Sequence, residues 1–161
     1  MPYVCTVRRI PSQPAMVVRP EVPLEQVGPA MVEGFRAVGD YLERAGATPA
    51  GETYARYLRM GCVSAHLEIG FTVRELLPGA GAVKPSELPA GEAVVTLHRG
   101  PYERLPEALA ALRAWMHEHH RVAAGPHWET YLDGPPEVTD AELYETEVFV
   151  PLKGEVPESP A

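Results

Sequence analysis

The feature that most constrains this chain is a strand pattern written twice. His66-Leu-Glu-Ile-Gly-Phe-Thr-Val73 alternates Leu67, Ile69, Phe71 and Val73 on one face with His66, Glu68, Gly70 and Thr72 on the other. Leu143-Tyr-Glu-Thr-Glu-Val-Phe-Val-Pro-Leu152 alternates in the same way, with Thr146, Val148 and Val150 opposed to Glu145, Glu147 and Phe149. Aligning Glu68 with Glu147 gives an offset of 79 residues. Nearly the same offset joins Val17 to Val95 (78), and Pro29 to Pro106, Arg36 to Arg113, and Glu52-Thr-Tyr54 to Glu129-Thr-Tyr131 (each 77). The spacing predicts two copies of one strand–helix–strand–strand module.

Each copy can be read locally. In the first, Val4–Arg8 and Ala15–Arg19 are strand material, and Pro20 and Pro23 interrupt the run. Val27, Met31, Phe35, Val38 and Leu42 then fall at helical spacing, with Pro29 in the first turn and Gly46 at the C-terminal cap. Strands are expected at Thr53–Met60 and His66–Val73. In the second copy Glu92–His98 is a strand, and Leu105, Leu109, Leu112 and Met116 stripe a helix with Pro106 in its first turn. Trp128–Leu132 and Leu143–Leu152 complete the set, separated by the turn Asp133-Gly-Pro-Pro136. The expected organisation is one domain over 1–153: a first repeat at 3–76, a Pro/Gly/Ala-rich linker at 77–91, a second repeat at 92–153, and a loose tail at 154–161. The fold class is α+β, two helices over antiparallel sheet, with a ligand groove at the seam between copies.

Composition narrows the function. Of 161 residues, 45% are hydrophobic and 22% charged, ordinary for a folded domain, and the net charge is −8. With Lys and Arg scattered, no basic stripe offers itself to a phosphate backbone, so direct nucleic-acid binding is not expected. No run approaches the ~18 apolar residues of a membrane helix, and no basic-then-apolar leader opens the chain. Cys5 and Cys62 have no metal-motif spacing and read as free thiols in a cytoplasmic protein. His117-Glu-His-His120 places two histidines three apart, yet the usual ligand pattern is absent and histidines suit a helix C-terminus. No metal site is assigned there. His98 and His127 show no visible acid–base partner, and no phosphate loop, nucleophile elbow or thiol–histidine pair occurs.

The segments His98-Arg-Gly-Pro-Tyr-Glu-Arg-Leu105, Trp128-Glu-Thr-Tyr-Leu132 and Thr146-Glu-Val-Phe-Val-Pro-Leu152, in that order and spacing, resemble the GyrI-like small-molecule-binding family. This family includes the effector-binding domains of AraC-type and MerR-type regulators. The resemblance runs from about Tyr3 to Lys153 and includes the duplication. It implies tandem strand–helix–strand–strand modules around a central groove. It also implies a cationic, planar ligand held between aromatic rings and a buried carboxylate. No helix-turn-helix precedes Tyr3, so the chain reads as the stand-alone form of the family. Some stand-alone relatives are similar to hydrolases of cyclopropane-bearing natural products, and others bind proteins such as DNA gyrase.

By motif, the carried-over carboxylate is Glu147. A buried carboxylate beside Phe149 is costly unless paired, and a ligand cation would supply the partner. Tyr102, Trp128, Glu129 and Tyr131 lie at motif positions. Trp128 and Tyr131 are three apart and cannot share one face of a straight strand, so one is expected in the groove and the other in the core. Glu68, Tyr54 and Tyr57 are candidates from the first repeat, while Trp115 is assigned to helix packing. The expected activity is binding of an aromatic cation without a cofactor, so as to sequester or sense it. The alternative is a hydrolase in which Glu147 or Glu129 activates water and Tyr102 polarises the leaving oxygen. A protein-interaction module is the third reading.

Overall fold

The structure is a computed structural model that describes residues 3–134 and 137–154. The chain forms β1 (Thr6–Ile10), β2 (Gln13–Val18), β3 (Glu21–Pro23), α1 (Val27–Arg44), β4 (Pro49–Met60), β5 (Ser64–Val73) and β6 (Lys84–Leu88). It continues with β7 (Gly91–Arg99), α2 (Leu105–Glu118), β8 (Trp128–Asp133) and β9 (Glu145–Pro151). Both helices and the seven strands expected from the repeats are present. Two short strands lie where none was expected. β6 falls inside the proline-rich 77–91 stretch and pairs only with β2, an outer position that tolerates Pro85. β3 lies in the Pro20–Pro23 interruption and pairs with β5. The two prolines of the 133–136 turn, and the tail from 155 onward, lie outside the described residues.

All strands belong to one antiparallel sheet ordered β1-β7-β9-β8-β4-β5-β2-β6, with β3 beside β5. The order is balanced about its centre. β8 and β4 pair there, β9 and β5 flank them, and β7 and β2 come next. Ile69, Ala55, Glu129 and Val148 form one row of directly opposed residues across β5, β4, β8 and β9. Opposed residues share a face. Ile69 packs in the cluster with Val38 and Leu42 of α1, and Val148 in the cluster with Leu105, Ala108 and Leu112 of α2. Both helices therefore cover the same side of the sheet, and the β4/β8 seam runs between them.

The opposite side curls around its own core. Ala15 and Val17 from β2 join Ala93 and Val95 from β7, Tyr54, Trp128, Phe149 and Leu88 in one buried cluster. Contributions from strands so far apart in the order require a strongly curled, half-barrel sheet. Gly70 belongs to this curvature: a Cβ there would lie 2.0 Å from the Met16 carbonyl oxygen, so no side chain fits at the β2–β5 contact.

Candidate functional site

The two faces of the sheet carry two different buried carboxylates. On the concave face Glu68 is fully enclosed. It accepts hydrogen bonds from Tyr54 Oη at 2.8 Å and Ser86 Oγ at 2.9 Å, and pairs with Arg56 at 2.8 Å and Arg19 at 3.0 Å. Burial alone would raise its pKa, but Arg56 and the hydrogen bonds outweigh burial and hold it below the ordinary carboxylate value. Also on this face, Glu147 is paired with Arg8, whose guanidinium lies 5.7 Å from the centre of the Phe149 ring. Phe149 stacks on Trp128 with centroids 5.3 Å apart.

On the helix-bearing face the partners of Glu129 are of another kind. Its side chain leaves β8 directly opposite Ala55. Glu129 is 6% exposed, and its Oε2 accepts hydrogen bonds from Tyr131 Oη at 2.6 Å and Tyr57 Oη at 3.1 Å. No salt bridge to it occurs among the described residues. Burial, only partly offset by the two hydroxyls, raises its pKa above the ordinary value. Burial and then the Glu129 carboxylate push both tyrosines upward too, so they stay protonated donors.

Further aromatic rings pack on the two tyrosines that hold this carboxylate. Tyr57 stacks on His127 at 4.8 Å, and burial, with a smaller contribution from Arg113, lowers the His127 pKa to about 4. Phe35 of α1 and Tyr102, in the turn before α2, each meet Tyr131 edge-on, at 5.8 and 5.7 Å. Tyr144 lies 5.1 Å from Tyr102. His98 fixes the Tyr102 turn: Nε2–H donates to the Pro101 carbonyl at 3.0 Å, while Nδ1 accepts from Tyr3 Oη at 2.8 Å. Thr146 Oγ1, opposite Tyr131, is buried without a hydrogen-bond partner among the described residues. A cavity of about 260 Å³ lies elsewhere, around Arg56, Pro89, Glu92 and Pro126.

The sequence candidates thus divide. Glu129, Tyr131, Tyr57 and Tyr102 come together on the helix-bearing face, whereas Glu147, Phe149, Trp128, Glu68 and Tyr54 lie on the concave one. Trp128 and Tyr131 take opposite faces, as their spacing requires. Tyr54 and Tyr131, aligned at 77 residues, also point opposite ways, because Tyr54 is opposed to Thr130 and Thr53 to Tyr131. Phe35, Tyr144 and His127 were not singled out as ligand contacts. The sequence offers Phe35 only its place on the α1 stripe, whereas Tyr144 shares the parity of Thr146 and Val148 in the Leu143–Leu152 pattern. Of the histidines at the end of α2, His119 stacks on Trp115 at 4.2 Å and hydrogen-bonds its carbonyl.

The model of the GyrI-like small molecule binding domain matches residues 64–153, more than half of the chain. The chain belongs to this family. No curated protein sequence matches it closely enough to be counted. Among solved structures, the EcmrR C-terminal domain superposes with TM-score 0.80 at 22% identity, covering 95% of this chain and 99% of that one. In the EcmrR–DNA complex the TM-score is 0.83 at 22% identity, and 94% of this chain spans only 57% of the EcmrR chain. SAV2435 bound to tetraphenylphosphonium gives 0.62 at 16% identity, with 96% and 95% covered. A hydrolase from Listeria innocua gives 0.67 at 14%, with 92% and 91% covered. These likenesses show the fold alone, which is that of the GyrI-like family. No helix among the described residues is long and apolar enough to cross a membrane.

Proposed function

We propose that this protein binds lipophilic aromatic cations at Glu129, sequestering or sensing them. One observation carries the reading: Glu129 is buried, yet among the described residues its partners are two neutral hydroxyls and no cation. A buried carboxylate left in that state is costly, and a bound cation removes the cost. The faces of Tyr57, Tyr131, Tyr102 and Phe35 add cation–π attraction of roughly 0.5–2 kcal/mol. Glu147 already has Arg8 as its cation, so it is the weaker candidate of the two. The tetraphenylphosphonium-bound SAV2435 has the same fold and suggests the probe.

The test is calorimetric titration of tetraphenylphosphonium into wild type, Glu129→Gln and Glu147→Gln. Wild type and Glu147→Gln bind alike, and Glu129→Gln loses at least about tenfold in affinity, ~1.4 kcal/mol. Equal binding by Glu129→Gln, or loss confined to Glu147→Gln, sinks the assignment. A hydrolase is the second reading, favoured by one feature: a carboxyl of raised proton affinity bonded to two tyrosine hydroxyls suits general acid–base chemistry. Mass spectrometry separates the readings, since a binder returns its ligand unchanged and a hydrolase returns it heavier by one water.

A further inference from the structure

The groups facing Glu129 decide what holds its charge when no ligand is bound. From β4 comes Tyr57 and from β8 Tyr131, both neutral donors. The turn before α2 supplies Tyr102, and Tyr144 stands behind it. Just ahead of β8, His127 lies flat on Tyr57. α1 contributes Phe35, while β5 and β9 contribute the apolar Ile69 and Val148 to the same row. Arg113 of α2 acts on His127, but Glu129 has no salt bridge to it. Both hydroxyls converge on Oε2, and Oε1 takes no hydrogen bond from a described residue. The geometry therefore offers one oxygen to donors and leaves the other free to carry hydrogen.

We propose that Glu129 exchanges a proton for the cation: the empty site holds the neutral carboxyl, and binding expels one proton to solvent. This rests on the assignment of the cation site to Glu129 and adds its regulation. In the step, the O–H bond of the carboxyl breaks, water or buffer takes the proton, and the carboxylate left behind pairs with the cation. No electron is transferred. The raised proton affinity of Glu129, caused by burial, favours the neutral form of the empty site. Exchange makes affinity depend on pH in a defined way. Below the carboxyl's pKa, each unit of acidification weakens cation binding about tenfold; above it, affinity is flat.

Tetraphenylphosphonium suits the test because it has no titratable proton, so any proton released comes from the protein. Titrations are run at one mildly acidic pH in two buffers that differ in ionisation enthalpy, with wild type and Glu129→Gln. Exchange predicts release of up to one proton per cation, falling toward zero as pH rises, and none from the variant. Binding that requires Glu129 but releases no proton at any pH overturns exchange and leaves the site standing. Binding that ignores Glu129→Gln overturns both. An infrared difference spectrum, wild type minus Glu129→Gln, reads the proton without any ligand. A carboxylic-acid carbonyl band must persist above the ordinary carboxylate range and vanish as pH rises. Its absence overturns exchange whatever the protein binds.

Discussion

Glu68 and Glu129 are both buried glutamates in the middle of the same sheet, and they are opposite in electrostatic character. Glu68 faces the concave core with two guanidiniums and two hydroxyls around it. Glu129 faces the helix-bearing side with two hydroxyls and a ring of aromatic side chains. The first carboxylate is more than compensated, with two guanidiniums against its one charge, and it ties β4, β5 and β6 to the residue that follows β2. The second, once ionised, is short of one positive charge. Burial alone therefore does not single out Glu129 for the proposed role; burial without a cation among the described residues does.

The largest effect expected from this contrast is at Glu68. Glu68→Gln leaves Arg56 and Arg19 without their counter-charge and costs about 3 kcal/mol in chemical denaturation, with cation binding kept in the protein that remains folded. Glu129→Gln does the reverse, raising stability by about 1 kcal/mol at neutral pH while weakening cation binding at least about tenfold. A destabilised Glu129→Gln would mean that its charge is already compensated, and the contrast fails.

Acidity separates the two carboxyls further. Glu129 has a raised pKa in the folded protein, so its stabilising contribution is fully present below the ordinary glutamate value and is lost as pH rises through the raised one. The stability gap between Glu129→Gln and wild type therefore opens with rising pH and closes in acid. Glu68 has a lowered pKa, so its contribution is present above the ordinary value and is lost as pH falls through the depressed one. Thermal melts across pH, wild type against each variant, should show gaps that open together as pH rises but with opposite signs.

Smaller changes sharpen the account. Tyr131→Phe removes the shorter bond to Glu129 and weakens tetraphenylphosphonium binding roughly fivefold, ~1 kcal/mol. Tyr57→Phe, at the longer bond, has less effect. The smallest change is Gly134→Ala. A Cβ there would lie 2.4 Å from Tyr102 Oη, so the ring must swing. Stopped-flow dissociation rates should change while stability stays within about 0.5 kcal/mol.

Much of this fold is legible in strand parity and helix spacing. Leu67, Ile69 and Phe71 packing toward α1, and Glu147 and Phe149 turned away from Val148, follow from alternation alone. β6 was hidden because an outer strand accepts proline, which otherwise signals a linker. The site was harder to read for a physical reason. What distinguishes Glu129 from Glu147 and Glu68 is the identity of its partners; Tyr131 is two residues along the same strand face, but others come from 72 residues away for Tyr57, 139 for Arg8 and 49 for Arg19. Parity assigns a face but not the neighbours on it. The 77-residue alignment also paired Tyr54 with Tyr131, although a one-residue slip puts them on opposite faces.

The most direct test of the central claim is a crystal structure with tetraphenylarsonium, whose arsenic can be located by its anomalous scattering. The account predicts an arsenic peak on the helix-bearing face, beside Glu129 and among Tyr57, Tyr131, Tyr102 and Phe35. A peak on the concave face, beside Glu147 and Phe149 or in the cavity by Arg56, would contradict it.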